Sequence, residues 1–210
     1  MFKKTFALIT TVIMIFIFAA CTQTAASEAK QASATQTTNY SASAGEETET
    51  AAGKILVVYF SWSGNTEEMA SYIAEQTNGD LLKLEPKSAY PSDYSETGDV
   101  AKAERDGNAR PKIVNLPSSV DEYDKILVGY PIWWHTAPMI IGTFLENYDL
   151  TEKAIYPFSQ SASMDTGQFD QSVEFVRKAS AGAIVYDGLF TGPSDKAAID
   201  AYLSDNELVK

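Results

Sequence analysis

Residues 54–70 read KILVVYFSWSGNTEEMA, and this stretch decides the predicted fold. Residues 54–60 form a nearly continuous apolar run rich in β-branched side chains, which is typical of a strand buried on both faces. Apolar residues then recur at helical spacing, and the Asn78-Gly79 pair is a good stop, so a helix is predicted over 65–77. A buried strand that turns sharply into a helix is the first unit of a parallel α/β sheet.

The same alternation of strand and helix continues along the chain. Further strands are predicted at 80–84, 125–130, 154–158 and 183–186, and further helices at 99–107, 138–148, 168–180 and 194–203. Strands separated by helices pair in parallel through right-handed crossovers, which predicts an open, doubly wound five-stranded sheet with helices on both faces. Ligands of such sheets bind beyond the carboxyl ends of the strands, where the winding reverses.

The turn after the first strand is a candidate anion site without a cation. It consists of Ser61, Trp62, Ser63, Gly64, Asn65 and Thr66. Backbone amides at a helix start and several hydroxyls can converge on a terminal phosphate dianion, since many aligned neutral donors replace net charge. The turn lacks the lysine of a Walker loop and the spaced glycines of a dinucleotide fingerprint. A plain Ser/Gly turn before a helix is the structural alternative.

The sequence of this turn resembles that of a known protein family. The segment SWSGNTE at 61–67 is similar to the phosphate loop of flavodoxins, which holds the 5′-phosphate of FMN. The likeness continues through NARP at 108–111, Tyr123-Asp124 and GYPIWWHTAP at 129–138, and spans residues 54 to about 203. The resemblance implies FMN as cofactor, a flavodoxin-like strand order of 2-1-3-4-5, and the branch of the family with two tryptophans after the third strand.

The loop after the third strand is expected to form the flavin wall. Its residues are Pro131, Ile132, Trp133, Trp134, His135 and Thr136. Because side chains alternate along an extended chain, one tryptophan is expected to face the ring while the other packs inward. The alternative is that both belong to the core. His135, the only histidine, is a candidate hydrogen-bond donor or catalytic proton carrier at the flavin, or else a solvated loop residue.

Two further segments complete the predicted site. In the family the loop after the fourth strand places backbone amides near the flavin, which assigns Ser161 and Ala162 to the cofactor, although side chains such as Met164 narrow this edge. The insert at 86–111 either covers the outer face of the flavin or forms a partner surface.

The first 52 residues read as export and anchoring signals. Lys3 and Lys4 precede an apolar stretch at 5–20, which is the layout of a secretory signal and is short for a transmembrane span. FAAC at 18–21 resembles a bacterial lipobox, which predicts removal of 1–20 and lipidation of Cys21. Residues 22–52 have almost no large apolar side chains, so 21–52 is predicted to be a disordered tether to a folded domain at 53–210.

Composition excludes several classes of function. A formal charge of −12 argues against nucleic acid and against adsorption to anionic lipid, so membrane contact is expected only through the lipid anchor. A single cysteine permits no internal disulfide. The sequence contains no metal-ligand cluster and no Ser-His-acid set at a defensible spacing, so no metal site is predicted.

These observations lead to one main functional hypothesis and two alternatives. The main hypothesis is a lipid-anchored, FMN-binding protein that transfers electrons outside the cytoplasmic membrane to a protein partner, for which a basic surface would suit the acidic chain. The first alternative is an FMN-dependent NAD(P)H reductase of quinones or other small acceptors. The second is a non-redox module that keeps the fold without the cofactor.

Overall fold

The computed structural model describes residues 53–161 and 163–209. The leader, the lipidated Cys21 and the tether predicted within 1–52 lie outside the described residues, as does Ala162. Those predictions therefore stay predictions. Among the described residues, no helix combines the length and the apolar character needed to cross a membrane.

The described chain folds as a parallel sheet between two layers of helices. The strands pair in the order β2-β1-β3-β4-β5, and a short sixth strand pairs with β4 beyond β5. The elements are β1 (Ile55–Tyr59), α1 (Asn65–Thr77), β2 (Asp80–Lys83), α2 (Tyr94–Asp106), β3 (Lys125–Pro131), α3 (Met139–Leu145), β4 (Ala154–Gln160), α4 (Thr166–Ala179), β5 (Ile184–Val185), β6 (Leu189–Phe190) and α5 (Lys196–Asp205). The predicted fold class and the order 2-1-3-4-5 are confirmed.

Alternation along the central strands creates two cores, one on each face of the sheet. In β1, Leu56 and Val58 join the core that includes α3 and part of α4. Their neighbours Val57 and Tyr59 join the core built with α1 and α5. All of β1 is buried, because successive side chains point to opposite faces and each face is covered by helices. Burial on both faces therefore explains why the sequence is continuously apolar at 55–60.

Pro157 explains why the fifth strand is broken. The carbonyls of Ile155 and Ser159 accept hydrogen bonds from the β5–β6 side, at 2.9 and 3.3 Å, so Pro157 faces the same side by the two-residue period. Proline has no N–H to offer there, and the partner strand is interrupted between β5 and β6. A Cβ on Gly188 would lie 2.7 Å from the Pro157 carbonyl oxygen, so only glycine fits this crossing.

The helix in the insert is longer than the sequence analysis predicts. It begins at Tyr94 rather than at 99, because the side chain of Asp93 caps it by accepting a hydrogen bond from the Glu96 amide at 2.9 Å. The extra turns bring α2 beside the carboxyl ends of β1 and β3. These two neighbouring strands mark the point where the winding of the sheet reverses.

Candidate functional site

The turn between β1 and α1 has the geometry of an anion cradle. Gly64 has a φ of 94°, a left-handed conformation that glycine adopts without steric penalty. Its amide donates to Ser61 Oγ at 3.1 Å, which leaves the Ser61 hydroxyl hydrogen available to a ligand. The first backbone hydrogen bond of the helix runs from the Glu68 amide to the Gly64 carbonyl at 3.0 Å. The amides of residues 65–67 precede that bond and have no acceptor within the helix.

Helix α1 differs from the other long helices in having no side-chain cap. Asp93, Asp165 and Asp195 accept hydrogen bonds from the first turns of α2, α4 and α5. At the start of α1, no side chain of the described residues caps the amides. Unpaired amides and the positive end of the helix dipole favour an external anion at this place.

The local charges are compatible with a bound phosphate. Glu67 lies, next to Glu68, in the first turn of α1, where a free carboxylate would repel a phosphate dianion. Its side chain is instead paired with Lys83 on β2 at 2.9 Å, and this hydrogen bond holds the pKa of Glu67 below its ordinary value. Thr66 is buried and Ser63 is exposed, so of these two hydroxyls that of Ser63 is the one open to solvent.

An aromatic cleft of about 440 Å³ opens next to this turn. It lies beyond the carboxyl ends of β1, β3 and β4, against the first half of α2, and shares Trp62 with the turn. The lining residues are Trp62, Tyr94, Ser95, Thr97, Gly98, Asp99, Ala101, Ile132, Trp133, Trp134, His135 and Met164. All three tryptophans of the chain are in this list. Its volume falls within the range of about 300–1,000 Å³ that is usual for small-molecule sites.

Trp133 forms the inner wall of the cleft. Its ring meets Phe60 edge-on, with centroids 5.4 Å apart, and meets Tyr90 edge-on at 5.1 Å. The Tyr90 hydroxyl donates to Glu104 at 2.8 Å, which ties α2 to this aromatic group. Burial raises the pKa of the Glu104 carboxyl, while the hydrogen bond from Tyr90 opposes that rise. The partly buried Tyr90–Glu104 pair therefore supports the inner wall formed by Trp133.

Trp134 and His135 form a tight turn, so the expectation of an extended chain here is wrong. The Trp133 amide donates to the Thr136 carbonyl at 3.0 Å, and the Thr136 amide donates back at 3.1 Å. The two residues between them have φ values of 50° and 66°. Positive φ at both central positions is the geometry of a type I′ turn. Trp134 consequently projects outward and is 40% exposed, while Trp133 packs inward.

The loop after β4 is closed by its own serine. Ser159 and Gln160, which follow the strand predicted at 154–158, belong to β4. Ser161 Oγ accepts hydrogen bonds from the amides of Ser163 and Met164 at 3.2 and 3.0 Å. Met164 lines the cleft, in agreement with the narrowing expected at this edge. In this arrangement the two amides are engaged within the loop.

The predicted site residues fall into three groups. Trp62, Ile132, Trp133, Trp134 and His135 line the cleft. The remaining turn residues Ser61, Ser63, Gly64, Asn65 and Thr66 adjoin it through Trp62, without lining it. Pro131 ends β3, Thr136 closes the tight turn and Ser161 closes its own loop. Sequence reasoning offered the insert at 86–111 as a cover of the flavin or a partner surface, but it named no residue from Ser95 to Ala101 as a site residue. An Asp at 93 followed by Glu at 96 is a readable helix start.

A second cavity of about 480 Å³ adjoins the tight turn. It shares Trp134 and His135 with the aromatic cleft, and Arg105 and Lys178 are among its lining residues. In the described part of the chain, no group of three or more His, Cys, Asp or Glu side chains is placed to hold a metal ion. The cleft itself presents aromatic walls, and the adjoining turn presents backbone amides and hydroxyls.

These features define a class: an α/β protein with an anion cradle and a planar, aromatic cofactor cleft at the β1/β3 switch point. The chain belongs to the flavodoxin family, since the family model Flavodoxin_4, described as flavodoxin, matches residues 54–205. A comparison with curated proteins gives no significant match.

Solved structures agree with this assignment. A candidate flavoprotein from Bacteroides eggerthii is 33% identical, with a TM-score of 0.66, over 75% of this chain and 99% of its own. A second one, from Bacteroides uniformis, is 28% identical with the same TM-score, over 72% of this chain and 98% of its own. A Lactobacillus acidophilus flavoprotein, solved in complex with FMN, is 27% identical with a TM-score of 0.59, over 72% and 99% of the two chains. The prediction of FMN as the cofactor is supported by the family and by this complex.

The residues present fit FMN. The amides at the start of α1 are not capped by a side chain, and a Cβ placed on Gly64 would meet no atom within 4 Å, so the cradle is open. The cleft beside it offers indole surfaces to a flat ring. The turn at 61–66 offers several uncharged hydrogen-bond donors, its amides and hydroxyls, which suit a phosphate monoester dianion.

Proposed function

We propose that this chain is an FMN-binding redox protein that transfers electrons outside the cytoplasmic membrane, where lipid on Cys21 anchors it. One observation carries the proposal. A helix start without a side-chain cap, preceded by the left-handed Gly64, adjoins an aromatic cleft at the switch point of the sheet. That combination suits the two unlike ends of FMN, a dianion and a flat ring.

When bound, FMN supplies reversible electron chemistry, and the protein's part is to hold it and to tune its potential. The turn at 61–66 would bind the phosphate, with Ser61 and Ser63 adding hydroxyl donors to the helix amides. Trp133 and Trp134 would bound the ring, and Met164 would limit the space at the edge near β4. His135, which is exposed at the rim, is proposed to donate a hydrogen bond or exchange a proton there.

The charges around the cleft favour a low potential. Among its described lining residues, Asp99 is the only carboxylate and none is Lys or Arg. A nearby negative charge and an apolar wall both disfavour added negative charge on the ring. Charges farther away matter little, because one unit charge at 10 Å in water contributes about 0.4 kcal/mol. We therefore expect Asp99, rather than the net charge of the chain, to affect the potential.

The extracytoplasmic location and the partner are proposed from the sequence. The basic, apolar leader and the FAAC segment at 18–21 support export and lipidation of Cys21. The formal charge of −12 supports a partner with a basic docking surface, since opposite fields speed association.

A second candidate function is an FMN-dependent reductase of small acceptors such as quinones, with NAD(P)H as reductant. The cavity of about 480 Å³ favours it, because that cavity shares Trp134 and His135 with the flavin cleft and could admit a second small molecule. Steady NADPH-dependent reduction of a quinone by the purified protein would support the enzyme. Reduction only through a protein donor would support the carrier.

The test of the proposed function is the visible spectrum of purified residues 53–210. Solved relatives match over 98–99% of their own length, so in those proteins a folded unit of this extent is sufficient. We expect flavin absorption bands, directly or after addition of FMN, and release of FMN on denaturation. A folded, colourless protein whose spectrum and stability ignore added FMN would contradict the proposal and select a non-redox module.

A further inference from the structure

The tight turn at Trp133–Thr136 is in a conformation that needs outside support. Two consecutive bulky residues, Trp134 and His135, have positive φ values of 50° and 66°. Such conformations are uncommon for residues other than glycine, asparagine and aspartate, and they persist only where surrounding contacts hold them. The two backbone hydrogen bonds between Trp133 and Thr136 lie within the turn itself and do not connect it to the rest of the protein. A second set of contacts comes from α2.

Helix α2 contacts Trp134 in three ways. The indole Nε1–H donates to the Gly98 carbonyl at 2.8 Å. Arg105 Nη1 donates to the Trp134 carbonyl at 3.2 Å. The Arg105 guanidinium also lies over the indole, with Cζ 5.5 Å from the ring centroid. Main chain and side chain of Trp134 are therefore both tied to the same helix.

Arg105 is itself held in a fixed orientation. Its Nε and Nη2 atoms both donate to Asp106 Oδ1, at 2.9 and 2.7 Å. This leaves Nη1 directed at the tight turn, as the rigid planar fork of a guanidinium requires. Arg105 lines the second cavity and is not among the described residues that line the aromatic cleft, where the flavin is proposed to bind.

We propose that Arg105 is a positioning residue for the cleft: by holding the Trp134 carbonyl and covering one face of its indole, it fixes the other face as the outer wall. The role is one of geometry rather than charge, because the guanidinium is paired with Asp106 and Arg105 does not line the aromatic cleft. The consequence for FMN rests on the proposed function, whereas the consequence for the turn itself does not.

The chain offers a matched control in Lys102. This residue belongs to the same helix and pairs with the same carboxylate, with Nζ 2.7 Å from Asp106 Oδ2. Among the described residues, no hydrogen bond or ion pair joins it to the turn. Lys102→Gln therefore removes one positive charge and one Asp106 partner, as Arg105→Gln does. Only Arg105→Gln also removes the hold on Trp134.

The first measurement uses residues 53–210 without FMN. The three tryptophans give three indole N–H signals in a nitrogen-correlated proton spectrum, and Trp134→Phe identifies that of Trp134. Arg105→Gln should speed hydrogen exchange of the Trp134 indole about tenfold, equivalent to about 1.4 kcal/mol of lost protection, and Lys102→Gln should change it less than about twofold. Equal effects of the two variants, or none, would overturn the proposal.

The second measurement is FMN titration of the same proteins. Arg105→Gln should raise the dissociation constant about tenfold and Lys102→Gln less than about twofold. Arg105→Lys keeps the charge but not the fork, so it should resemble Arg105→Gln; wild-type affinity in Arg105→Lys would show a charge effect and refute positioning. If the unmutated protein ignores FMN, the proposed function fails, while the exchange measurement still decides the role of Arg105.

Discussion

At the scale of single residues, Gly64 determines whether the anion cradle can form. Its φ of 94° directs the chain so that the amides at the start of α1 face outward together. There is open space around the position where a Cβ would stand, so a side chain would be opposed by backbone strain and not by crowding. The strain makes a specific prediction.

Gly64→Ala should lower the free energy of unfolding by about 1–2 kcal/mol, because alanine disfavours the left-handed region. Gly98 in α2 is the control: it is helical, has no positive φ and has no atom within 4 Å of a built Cβ. Gly98→Ala should raise the free energy of unfolding by about 0.5–1 kcal/mol. Urea unfolding of both variants measures the difference, and a change of the same sign in both would contradict the account.

Some site residues were predictable from sequence because their contacts are local. The turn at 61–66 contains its own glycine and hydroxyls and is followed directly by its helix, so its geometry depends on few distant residues. The tight turn at 134–135 has neither glycine nor asparagine to announce a positive φ. Its contacts come from Gly98 and Arg105, about thirty residues earlier, and such tertiary contacts override local preference.

At the scale of elements, an ion pair fastens the end of the insert to the helix after β3. Arg110 Nε and Nη2 donate to the two carboxylate oxygens of Glu146 at 2.7 and 2.6 Å. Arg110 Nη1 also donates to the carbonyls of Asn108 and Ala109. The NARP segment at 108–111, quoted for its family likeness, therefore has a structural role at the base of α2. The hydrogen bonds from Arg110 hold the pKa of Glu146 below its ordinary value.

Glu146→Gln should lower the free energy of unfolding by about 1 kcal/mol at pH 7, a value already reduced for solvent exposure. Since the pKa of Glu146 is lowered on folding, its contribution is complete above the ordinary pKa of 4.5 and is lost as pH falls through the folded value. The difference between variant and wild type should thus shrink below about pH 4.5.

Glu174→Gln is the control for this pair. Glu174 meets Arg177 through a single contact at 3.3 Å on an exposed face of α4, so its loss should matter by less than about 0.5 kcal/mol. Chemical denaturation at pH 7 and at lower pH compares the two. An effect of Glu146→Gln that is no larger than that of Glu174→Gln, or that grows on acidification, would refute the role given to the Arg110 pair.

Some boundaries of helices and strands were predictable from the sequence, and others were not. Helix α1 was predicted at 65–77, as observed, because a glycine turn precedes it and Asn78-Gly79 follows it. The break between β5 and β6 was not predicted, although Pro157 stands within the strand predicted at 154–158. Because Pro157 has no N–H, the strand that pairs with β4 on that side is interrupted. Which strand lies on that side depends on the strand order of the sheet. Pairing partners are not visible in one segment alone.

At the scale of the whole molecule, the described chain begins at the end of the strands that is opposite to the aromatic cleft. Gly53 precedes β1, whereas the cleft follows the ends of β1, β3 and β4. A five-residue strand spans about 17 Å. The first described residue therefore lies about one strand length from the cleft. The strand order that places the cleft came from the family likeness and was confirmed by the structure.

The uncharged turn at 61–66 is proposed to bind the phosphate of FMN while the neighbouring cleft holds its ring. The most direct measurement compares the dissociation constants of FMN and riboflavin for residues 53–210 by calorimetric titration, since riboflavin has the same ring without the phosphate. We predict that FMN binds at least about 100-fold more tightly, equivalent to about 2.8 kcal/mol. Equal affinity for the two ligands, or binding of neither, would contradict the account.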